Sequence, residues 1–455
     1  MEEVVEKSLL LLSLPLINHS KGLECNSPVG VLESMGGLES WKPWHSKQGG
    51  EGKGGSLTIS ASSATTVEWT LAPSKSHMIR WLLLSAQGNK PVTLKFSGSP
   101  GEDVISMVRC LRQLNVDIEI GEDEWIVNGV GPEGFRRPIS ILHCGNSATT
   151  LRLLTIAAAR LDCPVMLDGD RTLRKRHSET LLHILEYLGA EVSHGTGLEA
   201  LPYLVHGPLK PGEVTLDVKR SSQPLSALLL SMPALDGPIR VNLAGDGVSR
   251  KHAQLSFELA QKTGSENEID WRPHIILKPW LIECPDVVEI PSDRSLESFA
   301  MLYGAVHNVQ INISNLPSNE DSLGAEILES LESQEGLVEI DLRDANDLLP
   351  PLTAILALGS GGTISGAAHA RHKESNRIEK TVELLAHFGI QAVANEEGIS
   401  VEGSQTPSSP EGVVETHADH RLWMTAACLA SKVGATLTHP NCFAASDPNF
   451  LSRIV

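Results

Sequence analysis

Six short polar stretches carry side chains suited to binding anions, and most of them open an apolar segment. The first is Pro73-Ser74-Lys75-Ser76-His77-Met78-Ile79-Arg80, which runs into Trp81-Leu82-Leu83-Leu84. Ser74 or Ser76 can cap a helix there through its hydroxyl. Lys75 and Arg80 then stand near a helix end that is already positive, an arrangement best explained by an anion between them. The second stretch is Cys144-Gly145-Asn146-Ser147-Ala148-Thr149-Thr150-Leu151-Arg152, a turn rich in N–H and hydroxyl donors. The third, Asp168 to His177, places Arg171, Arg174, Lys175 and Arg176 within six residues. The fourth is Lys219-Arg220-Ser221-Ser222-Gln223, the fifth Arg371-His372-Lys373-Glu374-Ser375-Asn376-Arg377 preceded by Asn346-Asp347, and the sixth Asp419-His420-Arg421.

Taken singly, each has a plain structural reading as a capped turn or a solvated charged face. Together they offer more cationic and hydroxyl donors than one small anion needs. They suit a cleft that holds two anionic groups, at least one a phosphate. Asp347 and Glu374 are the candidate proton-handling carboxylates. No P-loop, dinucleotide fingerprint, HExxH or GxSxG motif supports nucleotide, metal or serine-hydrolase chemistry.

The elements that must position these groups recur along the chain. Apolar helices are predicted to start near Lys75, Ser147, Ser222, Arg294, Asp347 and Asp419, spaced 72, 75, 72, 53 and 72 residues apart. Each is apolar nearly all round, as a helix inside a domain is. A second class alternates with them, over 103–114, 179–188, 252–262, 322–331 and 377–388. Its apolar residues keep the i, i+3/i+4 spacing of a helix with one covered face, as at Leu181, Leu182, Leu185 and Leu188. Short alternating runs follow them: Val116–Ile120, Ala190–Val192, Val338–Ile340 and Ile390–Val393. This predicts about six α+β units, none able to bury its own core. Some 400 residues exceed one comfortable core, so three units in each of two lobes is the natural division. The turn Glu283–Asp286, ahead of Ile290–Asp293, is the candidate crossing point. A second crossing near Leu71–Pro73 would let the first strand, over 66–70, join the C-terminal lobe.

A net charge of −19 argues against a broad nucleic-acid surface, so basic clusters are local features on an acidic background. Seven irregularly spaced cysteines without a CxxC pair point to reduced thiols rather than a disulfide framework or zinc site. The segment before Ser56 is expected to be a flexible appendage ending in the Gly-rich linker Gly49–Gly55. Its acidic start and short apolar run suit neither a secretory signal nor a transit peptide. A cytoplasmic, monomeric protein is the expectation.

The ordered set Lys75-Ser76…Arg80, Asn146-Ser147-Ala148-Thr149…Arg152, Arg176, Ser221-Ser222-Gln223, Asp347, Arg371 to Arg377 and Asp419-His420-Arg421 resembles the EPSP synthase (3-phosphoshikimate 1-carboxyvinyltransferase) family over about residues 56–455. The resemblance implies an α/β fold of two lobes around a cleft, with boundaries at 56–73 plus 291–455 and at 74–290. It implies transfer of the enolpyruvyl group of phosphoenolpyruvate to the 5-hydroxyl of shikimate 3-phosphate in aromatic amino-acid biosynthesis, with no metal or organic cofactor. Lys75, Arg176, Arg377 and Arg421 resemble the cations that hold phosphoenolpyruvate, with His420 and Ala148 beside them. Ser76, Arg80, Ser221, Ser222, Ser249 and Lys373, with Lys75 and Asp347, resemble the contacts of shikimate 3-phosphate, Gln223 lies between the substrates, and Lys75 also counts among the catalytic residues that the resemblance implies. Asp347 matches the base for the 5-hydroxyl, and Glu374 the acid that protonates the methylene carbon.

The chain departs from the family pattern at His372, Asn376, His252 and the turn Ser292-Asp293-Arg294-Ser295. Ala445 stands where a lysine is common. Ala148 occupies a position that is Gly in the glyphosate-sensitive class, so weak glyphosate inhibition is expected. Two other readings are a non-catalytic relative that binds a phosphorylated metabolite, and the sister enolpyruvyl transferase acting on UDP-N-acetylglucosamine. The sister carries a reactive Cys five residues before the position of Arg176, where this chain has Arg171.

Overall fold

The computed structural model describes residues 55–63, 67–176, 179–195, 201–318, 323–333 and 336–455. Apart from Gly55, the expected N-terminal appendage lies outside them.

The helix Lys75–Gln87 begins where the Ser74 hydroxyl accepts the His77 N–H, and every residue from His77 to Gln87 is buried. It can be covered on all sides because its sequence, after the first turn, offers almost no charge to solvent. Ala148–Ala158, Gln223–Ser231, Glu297–His307, Leu349–Leu358 and His420–Val433 are likewise buried over most of their length. Leu349–Leu358 accepts prolines at 350 and 351 because its first-turn N–H groups have no intrahelical partner. The amphipathic class is Glu102–Gln113, Glu179–Tyr187, Arg250–Gln261, Ala325–Ser333 and Arg377–His387. In the first of these, Val104, Met107, Val108 and Leu111 form the buried stripe.

The described strands form six small sheets of two to four strands. Ile239–Ala244 is the centre strand of one, parallel to Gly212–Asp217 and antiparallel to His274–Leu277. Gly361–Ser365 is likewise parallel to Val338–Asp341 and antiparallel to Ile399–Glu402. The fold is mixed α/β. Val67–Trp69 pairs in parallel with Ile311–Ile313, and Ser56–Ile59 runs antiparallel to Ala435–Thr438. The N-terminal end of the described chain is thus built into its C-terminal part.

Buried apolar side chains gather in two clusters. One runs from Met78 to Ile290 and the other combines Ile59 to Ala72 with Leu296 to Ile454. The chain passes between them at two adjacent points, where Pro73 and Ser292 form an isolated antiparallel bridge. The turn at Glu283–Asp286 is not the crossing itself. Val287–Glu289 still pairs with Thr93–Lys95, so the strand's ladder bonds hold the chain on the side of the first cluster for three more residues.

Candidate active site

Helix N-termini from both clusters converge on a cleft lined by Lys75, Ser76, His252, Ser295 and Asp347. The Lys75 ammonium donates to the Asp103 carboxylate at 3.3 Å and to the Ser446 hydroxyl at 3.1 Å. Asp103 opens the Glu102–Gln113 helix, whereas Ser446 follows the turn Cys442–Ala445. The two segments touch closely at Gly101, where an added Cβ would stand 2.5 Å from the Ala445 carbonyl oxygen. Burial pushes the Asp103 carboxyl up, against the opposing pull of Lys75.

Arg377 is the centre of the charged network. Its guanidinium, 1% exposed, reaches Asp347 at 2.6 Å, Glu374 at 2.6 Å and Asp419 at 2.9 Å. Asp419 also caps the His420–Val433 helix through the Arg421 N–H and accepts the Ser375 hydroxyl at 2.9 Å. Arg421 donates to the Ser295 hydroxyl at 3.0 Å and to Asp347 at 3.4 Å. Its Nε donates to His420 Nε2 at 3.2 Å, which leaves the imidazole proton on Nδ1. Arg176 comes from the other cluster, reaching Glu374 at 3.1 Å and donating to the Asn146 side-chain oxygen at 2.7 Å. That asparagine sits in a turn whose Ser147 caps Ala148–Ala158 by accepting the Thr150 N–H.

These neighbours fix the charge states. Burial pushes the Asp347 carboxyl up, but Arg421, Arg377, Lys373 and Lys75 outweigh it and hold it well below the usual range. Burial likewise opposes ionisation of Glu374, and Arg176 and Arg377 overcome it. Both carboxylates are ionised at neutral pH in this arrangement. His420 is held neutral, first by burial and then by Lys75 and Arg421. Burial lowers the Lys373 ammonium to about 8, with Asp347 opposing the shift.

The hydroxyl and amide groups lie on the side of the first cluster. Gln223 donates to the Thr149 hydroxyl at 3.0 Å and accepts from Arg152. The Ser221 hydroxyl accepts the Gln223 N–H at 3.2 Å, and the Ser222 hydroxyl donates to the Ser249 carbonyl at 2.8 Å. Arg80 is 1% exposed and donates to the Ser256 hydroxyl and to the carbonyls of Ser76 and His252.

The sequence-predicted residues therefore assemble in two groups. Lys75, Arg176, Asp347, Lys373, Glu374, Arg377, His420 and Arg421 interact directly or through one another's charge. Ser221 bonds to Gln223 and Ser222 to Ser249 on the side of the first cluster, and half-buried Ala148 starts the helix that supplies Thr149. Sequence reasoning missed Asp103, Ser446 and Ser295, and gave Asp419 no role. Asp419 was findable, since an acid directly before a predicted helix is an N-cap signal. The pairing of Ser446 with Lys75 spans 371 residues and leaves no local trace.

The family model of EPSP synthase (3-phosphoshikimate 1-carboxyvinyltransferase) matches residues 59–454. A curated 3-phosphoshikimate 1-carboxyvinyltransferase from Methanothermobacter thermautotrophicus is 28% identical over 422 residues, covering 88% of this chain and 97% of the relative. One from Geobacillus kaustophilus is 31% identical over 389 residues, covering 78% and 89%. The solved EPSP synthase of Acinetobacter baumannii superposes with a TM-score of 0.70 at 22% identity, covering 86% of this chain and 96% of that one. The chain belongs to the EPSP synthase (3-phosphoshikimate 1-carboxyvinyltransferase) family.

Proposed function

We propose that this chain transfers the enolpyruvyl group of phosphoenolpyruvate to the 5-hydroxyl of shikimate 3-phosphate and releases inorganic phosphate. The observation that carries the reading is the convergence of Arg176, Arg377 and Arg421 on two ionised carboxylates at one cleft, with the Lys75 charge acting on one of them, Asp347. Four cations suit a phosphate and a carboxylate on one small substrate. The hydroxyls of Ser76, Ser221, Ser222 and Ser249, with Arg80 and Lys373, would hold shikimate 3-phosphate, and Gln223 would lie between the two substrates.

In the addition step, the 5-hydroxyl oxygen bonds to C2 of phosphoenolpyruvate. Asp347 takes the hydroxyl proton, and Glu374 gives a proton to the C3 methylene. In the elimination step, the C2–O bond to phosphate breaks, C3 returns a proton to the Glu374 carboxylate to restore the double bond, and the proton held by Asp347 leaves with the phosphate. Glu374 must carry a proton to act as the acid, yet Arg176 and Arg377 hold it ionised in the ligand-free arrangement. An incoming phosphoenolpyruvate anion would draw those two arginines to itself and let the carboxyl rise. Substrate binding would thereby load the acid. Asp347 keeps the ionised state a base needs, since four cations surround it.

The corresponding organisation is one of two lobes, 56–73 plus 291–455 and 74–290, in a monomeric cytoplasmic enzyme that uses no metal or organic cofactor. Among the described residues, no helix is long and apolar enough to cross a membrane. The test is phosphate release by the purified protein, with each substrate omitted in turn. Release that requires both, with an enolpyruvyl ether product, supports the reading. Binding of shikimate 3-phosphate without any release refutes it in favour of a non-catalytic relative.

A further inference from the structure

One turn, from Arg343 to Asn346, is bonded to Ser249 of the substrate-binding group by two hydrogen bonds and to the next residue, Arg250, by a third. Ser249, just before the helix Arg250–Gln261, is a non-glycine residue at φ 53°, ψ 41°, a conformation that persists where surrounding contacts impose it. Its N–H donates to the Arg343 carbonyl at 2.9 Å, and the next N–H, of Arg250, donates to the Asp344 carboxylate at 2.5 Å. Asp344 thus does for this helix what a neighbouring N-cap side chain normally does, since Ser249 makes no side-chain cap. The third contact runs from the Asn346 Nδ2 to the Ser249 hydroxyl oxygen at 3.3 Å.

Asn346 is 2% exposed, and the same Nδ2 lies 2.7 Å from His369 Nε2. Burial holds His369 neutral, down to about 3. A neutral imidazole that accepts at Nε2 leaves the Asn346 amide as the donor to both neighbours. The Ser249 oxygen then receives a hydrogen bond from Asn346, so its own O–H proton is left to point elsewhere. The Ser249 carbonyl is already held by the Ser222 hydroxyl at 2.8 Å. Two hydroxyls of the substrate-binding group are therefore linked to the residue next to Asp347.

We propose that Asn346 is a positioning residue that turns the Ser249 hydroxyl into an obligate donor for the phosphate of shikimate 3-phosphate, with Arg343 and Asp344 fixing the backbone beneath it. This rests on the function proposed above. Asn346 touches no substrate in this arrangement and works through Ser249.

The test is steady-state kinetics on Asn346→Ala, Asn346→Asp and Ser249→Ala, with the double variant Asn346→Ala/Ser249→Ala closing a cycle. Losing one donor bond corresponds to a rise of about tenfold in KM for shikimate 3-phosphate, with kcat and the KM for phosphoenolpyruvate within about twofold. In the Ser249→Ala background, Asn346→Ala adds less than about twofold. Asn346→Asp has the same shape but presents only acceptors, so it raises the KM at least as far as Asn346→Ala. Additive effects in the cycle overturn the proposal, as does a normal KM in Asn346→Asp. If the unaltered protein turns over and these results appear, only the positioning role fails. If the unaltered protein does not turn over, the proposed function fails with it.

Discussion

Replacing Asp419 by Asn removes one charge from the least exposed part of the site while keeping its shape. Asp419 is 0% exposed and meets Arg377 through both carboxylate oxygens, at 2.9 and 3.2 Å. In the variant, one of these positions becomes an NH2 group facing a guanidinium N–H, so a bond becomes a repulsion. Breaking one side of a buried ion pair costs about 3–5 kcal/mol. Arg377 keeps Glu374 and Asp347, which places the expected loss near the lower bound, about 3 kcal/mol. The helix cap does not confuse the result, because Asn caps about as well as Asp. Asp419→Ala removes the cap as well and is expected to lose about 1 kcal/mol more. Denaturant unfolding at neutral pH, followed by fluorescence and fitted with a common slope, gives both differences. A loss below about 1 kcal/mol in Asp419→Asn would show that Glu374 and Asp347 alone neutralise Arg377.

Three further outcomes are expected. The Lys373 ammonium loses its proton at about 8, so the KM for shikimate 3-phosphate rises above that pH, by up to about tenfold per unit, and Lys373→Arg flattens the rise. The sign for stability is opposite. The unfolded lysine holds its proton up to about 10.4, so between the two values the unfolded chain binds more protons and this group's contribution to stability increases with pH. Glu374→Gln is expected to abolish turnover while leaving shikimate 3-phosphate binding within about threefold, measured by calorimetry; turnover within about tenfold of normal would remove Glu374 from the proton steps. Ala148→Gly is expected to tighten glyphosate inhibition by about tenfold or more, since relieving an overpacked contact is worth about 1–3 kcal/mol; an unchanged inhibition constant would refute the steric account.

The legible parts of this fold were those set by local pattern. Leu349–Leu358 and Gln223–Ser231 read as buried helices because no position on them offers a charge to water. The strand Val67–Trp69 was expected to leave its sequence neighbours for the C-terminal part, and it pairs there with Ile311–Ile313. By contrast, the pairing of Ser56–Ile59 with Ala435–Thr438 was not foreseen. Only Ile59 of that strand is buried, so its sequence carries little alternation to signal a partner. At the site, cations before apolar helices were visible as clusters, because a helix N-terminus already needs a polar opening. Their carboxylate and hydroxyl partners were not. Asp103 looks like any acid in a first helical turn, and Asn346 like a loop residue, until tertiary contacts bring them to Lys75 and Ser249.

The three carboxylates on Arg377 differ in a way that bears on how such a site can be both stable when empty and receptive to anions. Asp419 is sealed at 0% exposure, capped onto the helix that carries His420 and Arg421, and no ligand can replace it. It compensates the buried guanidinium without facing the cleft. Asp347 is 28% exposed and Glu374 is 10% exposed, and both share their cations with the cleft. On the proposed function, an anionic substrate would compete with these two for Arg176, Arg377 and Arg421, and each arginine it gained would be one taken from a carboxylate proposed to handle a proton. Without Asp419, the same exchange would leave Arg377 dependent on the substrate alone, and the empty site would hold a buried charge with only partial compensation. On the proposed mechanism, this division between one permanent and two exchangeable counter-ions would let binding energy alter the acidity of Glu374 without unfolding the helix starts that position it.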